Sequence, residues 1–142
     1  MKTISSESDF FKEISYKVIA AISGLSDQTT NEKVINIFDN YTNTEENLTR
    51  VRLSTVVFES KKSRKEVYQC YVTLYFHGSD VNYRADIITN FLEAGHADEI
   101  FLKFGFRLGD ISKSRDASRN LGRGNVENRS SFSLSLIYEI FS

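Results

Sequence analysis

Four of the five residues from 61 to 65 are cations: Lys61, Lys62, Arg64 and Lys65. A cluster of this kind offers charge-assisted hydrogen bonds to phosphate or carboxylate oxygens. Lysines at a hairpin end also keep strand edges from pairing with other chains, and the sequence leaves both readings open. A second constellation, Asp110, Lys113 and Asp116, has the residue types of a metal-dependent nuclease fragment, in which carboxylates hold a cation and a lysine stabilises developing charge. No carboxylate on a paired upstream strand completes it, and a solvated loop accounts for the same residues more simply. His77 and His96 lack Cys, His or carboxylate partners at metal-ligand spacing. No Gly-x-Ser-x-Gly, P-loop or dinucleotide fingerprint is present, and Cys70 lies inside an apolar alternating run where a nucleophile would be poorly exposed. The expectation is a protein that is not an enzyme and has no cofactor or metal site.

The 142 residues fit one domain, 1–142, with no repeat, low-complexity tract or linker. Hydrophobic residues at 40% and charged residues at 26% describe a folded globular chain. With 18 Lys and Arg against 19 Asp and Glu, bulk attraction to nucleic acid or anionic membrane is not expected. Positive charge collects in the middle of the chain, where residues 51–79 hold five basic and two acidic side chains. A lone cysteine forms no internal disulfide. The opening Met-Lys-Thr-Ile, followed by serine and acidic residues, offers no apolar stretch for a signal peptide or membrane span, so synthesis in the cytoplasm is expected.

Phe11, Ile14, Val18, Ile22 and Leu25 fall on one stripe of an amphipathic helix over about 7–24, with Ser6 and Asp9 as a weak capping box and Gly24 at its end. Val34–Phe38 predicts a short strand, and 40–49 a polar loop. Val51, Leu53, Thr55 and Val57 alternate with Arg52, Ser54 and Val56, and Tyr68, Cys70, Val72, Leu74 and Phe76 alternate with Val67, Gln69, Tyr71, Thr73 and Tyr75, which give the second strand an aromatic second face. These two runs predict a hairpin reaching beyond the core. Because Ser60–Lys65 contains no Gly, Asn or Asp, a long mobile tip is expected instead of a tight primed turn. Val81, Ala85, Ile88 and Leu92 form a second helical stripe, capped by Ser79 or Asp80 and closed by Gly95. A short helical turn through Ala97, Phe101 and Phe104 to Gly105 follows, then a strand through Phe106 and Leu108. Residues 109–125 read as a long functional loop, and Phe132 to Ile140 as the final alternating strand. The class is α+β: an antiparallel or mixed β-sheet with an extended hairpin and two main helices packed on one face. The Tyr71, Thr73, Tyr75 face suits either a cover of helices or an oligomer interface.

From residue 71 onward, an order of features stands out. A strand ends in Phe76, His77 and Gly78 and leads into the helix Val81 to Leu92. A Phe- and Gly-bearing segment, Leu102 to Leu108, precedes a polar loop with Arg119, Asn120 and Leu121, and Glu127, Asn128 and Arg129 stand ahead of the strand Phe132 to Ile140. Over residues 71–140 this pattern resembles the phage neck and tail terminator (tail completion) family. Asn128 stands where an acidic residue often precedes the arginine, and the chain has no proline.

The resemblance implies a structural virion protein, made in the host cytoplasm and located in the tail or neck. It would be a subunit of a hexameric ring that caps the completed tail tube and joins it to the head-neck connector. Heterologous contacts that close into a ring meet that need. The implied partners are copies of itself, tail tube and sheath proteins, and neck or head completion proteins. DNA would pass through without sequence-specific binding, and no membrane is involved. The implied contact residues are Lys61, Lys62, Arg64 and Lys65 at the tip, with Arg119 and with Arg129 as an ion-pair residue. The alternative is a small α+β ligand- or peptide-binding module with a pocket lined by Phe and Tyr.

Overall fold

Phe11, Ile14, Val18, Ala21, Ile22 and Leu25 are all buried on one side of a twenty-residue helix, α1 (Asp9–Gln28), and this stripe lays the helix on the sheet. In the computed structural model, residues 2–40, 46–112, 115–116, 119–122, 125–127 and 129–141 are described, those from 115 to 127 by their backbone alone. The helix cap is Ser8, whose Oγ accepts the Phe11 amide at 3.1 Å, and not the expected Ser6 and Asp9 pair. Gly24 does not end the helix. A Cβ there would lie 3.2 Å from Ile100 Cγ2, so this glycine permits close packing between α1 and the segment after the second helix.

The strands are β1 (Lys2–Thr3), β2 (Lys33–Asn36), β3 (Leu48–Lys62), β4 (Lys65–His77), β5 (Phe106–Ile111), β6 (Arg115–Asp116), β7 (Arg119–Gly122), β8 (Asn125–Glu127) and β9 (Arg129–Phe141). The main sheet runs β1-β3-β4-β9-β5, with β2 parallel to β3 and β6 paired to β9; β7 and β8 form a separate two-stranded ladder. Apart from β2 the pairing is antiparallel, which gives a mixed α+β sheet. Helix α2 (Val81–Glu93) and the one-turn α3 (Asp98–Leu102) complete the chain. Phe76, Phe101, Phe106, Phe132, Leu74 and Leu136 are fully buried together with the inner faces of α1 and α2.

Several expectations are corrected. The polar segment 40–49 gives Leu48 and Thr49 to β3, both buried, while 41–45 lie outside the described residues. The early strand is Lys33–Asn36, and Phe38 beyond it is exposed. The alternation in β3 changes phase. Leu53 pairs with Val72 and Thr55 with Tyr71, so Ser54 is an extra residue, and beyond it Val56 points into the core where Thr55 and Val57 had been expected. The Ser54 hydroxyl donates to the Tyr71 carbonyl at 3.0 Å, anchoring the bulge.

The hairpin tip is tight. Lys62 pairs with Lys65, leaving a two-residue connection, Ser63 and Arg64, with Ser63 at φ 55°. A left-handed serine is strained by about 1 kcal/mol, an amount that thirteen residue pairs between β3 and β4 hold in place. Nor does the hairpin stand free, since β9 borders β4 from Lys65↔Phe141 to His77↔Arg129. Helix α2 begins after Asp80, which has φ 51° and makes no side-chain capping bond; Gly95 closes it at φ 79° as expected. The expected loop 109–125 carries the end of β5, all of β6 and β7, and the start of β8. Serine, glycine and asparagine dominate that stretch, so it carries no period-two apolar signal to mark its strands.

Candidate interaction surface

Both helices lie on the face that holds Val72, Leu74 and Phe76 of β4, and no described helix covers the opposite face. Cross-strand register puts Thr55, Tyr71 and Ser135 in one row, Arg52, Thr73 and Ser133 in the next, and Arg50, Tyr75 and Ser131 in a third. A shallow groove of about 300 Å³ runs over the first two rows, lined in part by Ser54, Gln69, Tyr71, Thr73, Asp110, Ser112 and Ser133. Its hydroxyls are ordered: Thr73 Oγ1 and Ser133 Oγ are 3.0 Å apart, Ser112 Oγ donates to the Ser133 carbonyl at 3.0 Å, and Ser135 Oγ accepts the Asp110 amide at 2.8 Å. Tyr71 is 42% exposed above them. Tyr71 is thus an amphipathic ring exposed among short hydroxyl side chains, the residue type on this face that suits a protein–protein contact.

The basic cluster divides by environment. Lys61, Lys62 and Arg64 are exposed at the tip, whereas Lys65 turns back onto the sheet. Its Nζ lies 2.8 Å from Glu139 Oε2 and 5.6 Å from the Phe141 ring centroid. Arg107 binds the other oxygen of Glu139. The hydrogen bond from Lys65, with the Arg107 charge beside it, holds the Glu139 carboxyl below the usual glutamate range against the opposing effect of its burial. Arg129, the expected structural or intersubunit ion-pair residue, has its guanidinium 5.6 Å from the Tyr75 ring centroid at one end of the open face. Arg119 is in β7, and its side chain lies outside the described residues, as do Lys113 and the side chain of Asp116. Asp110 is exposed, and among the described residues no group of three His, Cys, Asp or Glu side chains is placed to hold a metal ion. Cys70 is fully buried, and burial pushes its thiol up to about 12.

One cluster that the sequence reading missed holds the two halves of the domain together. Arg84 is buried; its Nε is 2.7 Å from Glu32 Oε2, and its Nη atoms donate to the carbonyls of His77 at 2.8 Å, Ser79 at 2.7 Å and Leu48 at 3.3 Å. Thr49 donates to the other Glu32 oxygen, and Ser26 Oγ both accepts the Glu32 amide at 2.9 Å and donates to its carbonyl at 2.8 Å. These contacts join the end of α1, the start of β3, the end of β4 and α2. A cavity of about 460 Å³ lies beside them, lined in part by Thr30, Asn31, Asp80 and Tyr83. The signal was present: Arg84 falls three residues after Val81 and four before Ile88, on the apolar stripe of α2. A charge at such a position requires a buried partner.

No described helix is long and apolar enough to cross a membrane. No protein-family model matches the chain, and no curated protein matches it.

Proposed function

We propose that the protein is a structural subunit of a homo-oligomeric ring, the hexameric tail (neck) terminator of a phage, which caps the finished tail tube and joins it to the head-neck connector. The observation that carries this reading is the sheet face left uncovered by α1 and α2, with Tyr71 and Tyr75 presented on ordered hydroxyls. Among the described residues no helix covers this wide face of the main sheet, which leaves a large area to offer a neighbour. The order of elements from β4 to β9 gives further support, since it follows the sequence pattern that resembles the terminator family. The exposed Lys61, Lys62 and Arg64 would contact the tube, the sheath or passing DNA.

The alternative of an aromatic ligand pocket has less support, because Phe76, Phe101, Phe106 and Phe132 are fully buried in the core and the groove on the open face is lined mainly by hydroxyl side chains. Sedimentation at high micromolar concentration, followed by electron microscopy of negatively stained particles, tests the proposal. A six-membered ring that binds the open end of assembled tail tubes is the expected result. A particle that stays monomeric in the presence of tubes refutes it.

A further inference from the structure

From the distribution of charge on the two sides of the sheet, we infer that the ring contact is heterologous: the open sheet face of one copy docks on the outer surface of α2 and α3 of the next. The inference rests on the ring reading above and specifies its partner surface. Between residues 80 and 102 the acidic side chains are Asp80, Asp86, Glu93, Asp98 and Glu99, all exposed, and the single basic residue, Arg84, is buried against Glu32. With Lys103 exposed at the end of α3, the helical ridge presents five carboxylates against one cation. The open sheet face has the opposite character. Its acidic members are Asp110, Glu139 and Glu59, the extra residue of a second bulge in β3, and Glu139 is already bound by Lys65 and Arg107. Arg52 and Lys62 are exposed there, and among the described residues neither makes an ion pair.

Each surface also carries apolar anchors at its exposed points: Tyr71 and Phe141, the latter 73% exposed, on the sheet, and Tyr83 at 68% and Leu102 at 59% on the ridge. Aromatic anchors framed by complementary charge are what a specific contact needs. Size agrees. Three strands of about thirteen residues, at about 4.8 Å per strand and about 3.3 Å per residue, span roughly 600 Å². With β5 and side-chain relief added, the face approaches the roughly 800 Å² that each partner gives to a standard interface. The ridge and the open face are separate surfaces that approach each other only at the β5 edge, so a copy bound through one still presents the other, as a heterologous contact needs.

The test uses charge-reversed chains. Arg52→Glu with Lys62→Glu reverses the sheet face; Glu93→Lys with Glu99→Lys reverses the ridge. Lys12→Glu, on the exposed side of α1, is the control, and circular dichroism checks that each variant folds. Sedimentation of each at low salt should show self-association weakened at least about tenfold, while an equimolar mixture of the two reversed chains should associate again as alternating rings. Loss of association in the mixture as well, normal association of either reversed chain, or equal weakening by Lys12→Glu overturns the inference but leaves the ring reading standing. A wild-type protein that remains monomeric even with tail tubes removes both.

Discussion

Replacing Arg84 by methionine tests how the domain is pinned together. Methionine keeps most of the stem and removes the charged head, whose Cζ lies 6.0 Å from the Phe76 ring centroid. Four acceptors then lose a donor: Glu32 Oε2 and the carbonyls of Leu48, His77 and Ser79. Side-chain exposure is 8% for Arg84 and 4% for Glu32, so water does not already solvate the pair. Removing one partner of such a pair costs about 3–5 kcal/mol, because the remaining charge is buried without compensation. The cavity beside the pair admits water once the head is gone, which favours the lower end of that range. At roughly 4 °C per kcal/mol for a chain of this length, Tm should fall by about 12–20 °C. Urea unfolding followed by circular dichroism reads the same loss as a lower midpoint. Adding Glu32→Gln in the Arg84→Met background should recover part of the stability by removing the stranded charge. If Arg84→Met stays within about 0.5 kcal/mol of wild type, or if the second substitution recovers nothing, the pair is not the pin described here.

Three further outcomes follow from other parts of the molecule. Gly78→Ala should lower the urea midpoint by the equivalent of at least about 2 kcal/mol, because φ is 107° and the new Cβ would lie 2.9 Å from both Asn47 Cα and the Glu46 carbonyl; an unchanged midpoint contradicts that geometry. Cys70 should not react with a thiol-specific reagent at mildly alkaline pH in the native state and should react fully in urea, since burial keeps it protonated; fast native labelling would show that the core opens. The Glu139 carboxyl has a folded pKa below its unfolded value, so its stabilising effect is present above pH 4.5 and is lost as pH falls through the folded value. Glu139→Gln should therefore be less stable than wild type above pH 4.5 and converge on it as pH falls, flattening the acid limb, most clearly at low salt because Arg107 is half exposed; two profiles that stay parallel through the acid limb count against it.

The sequence made the core legible wherever one rule governed one element. Tyr68 to Phe76 and Phe132 to Ile140 alternate without interruption, and both are strands buried on one face. It misled where a residue type serves two purposes. Gly24 reads as a terminator but is a packing glycine, and Ser63 with Arg64 read as too ordinary for a tight turn that two long strands impose. The phase of β3 was hidden because a bulge changes which residue faces inward without changing composition, and the serine that makes it looks like any polar position. For the candidate surface, Tyr71 and Tyr75 on the second face of β4 were readable from alternation, but the absence of a helix above them was not, since period-two patterning does not say which face is covered. Glu32 and Arg84, fifty-two residues apart, are joined only by the fold.

The position of β9 sets the order in which this molecule can be built. Its partner β4 is translated long before it, and every residue of that strand, from Lys65 to His77, waits for a mate between Arg129 and Phe141. At about 5–20 residues per second, the ribosome leaves the hairpin of β3 and β4 with one ladder edge bare for several seconds while α2, α3 and the short strands emerge. A bare ladder edge beside three tyrosines invites pairing with the same edge of another nascent chain. Slow translation through residues 78–128 should therefore lower the soluble yield, and a chaperone that shields extended backbone should restore it.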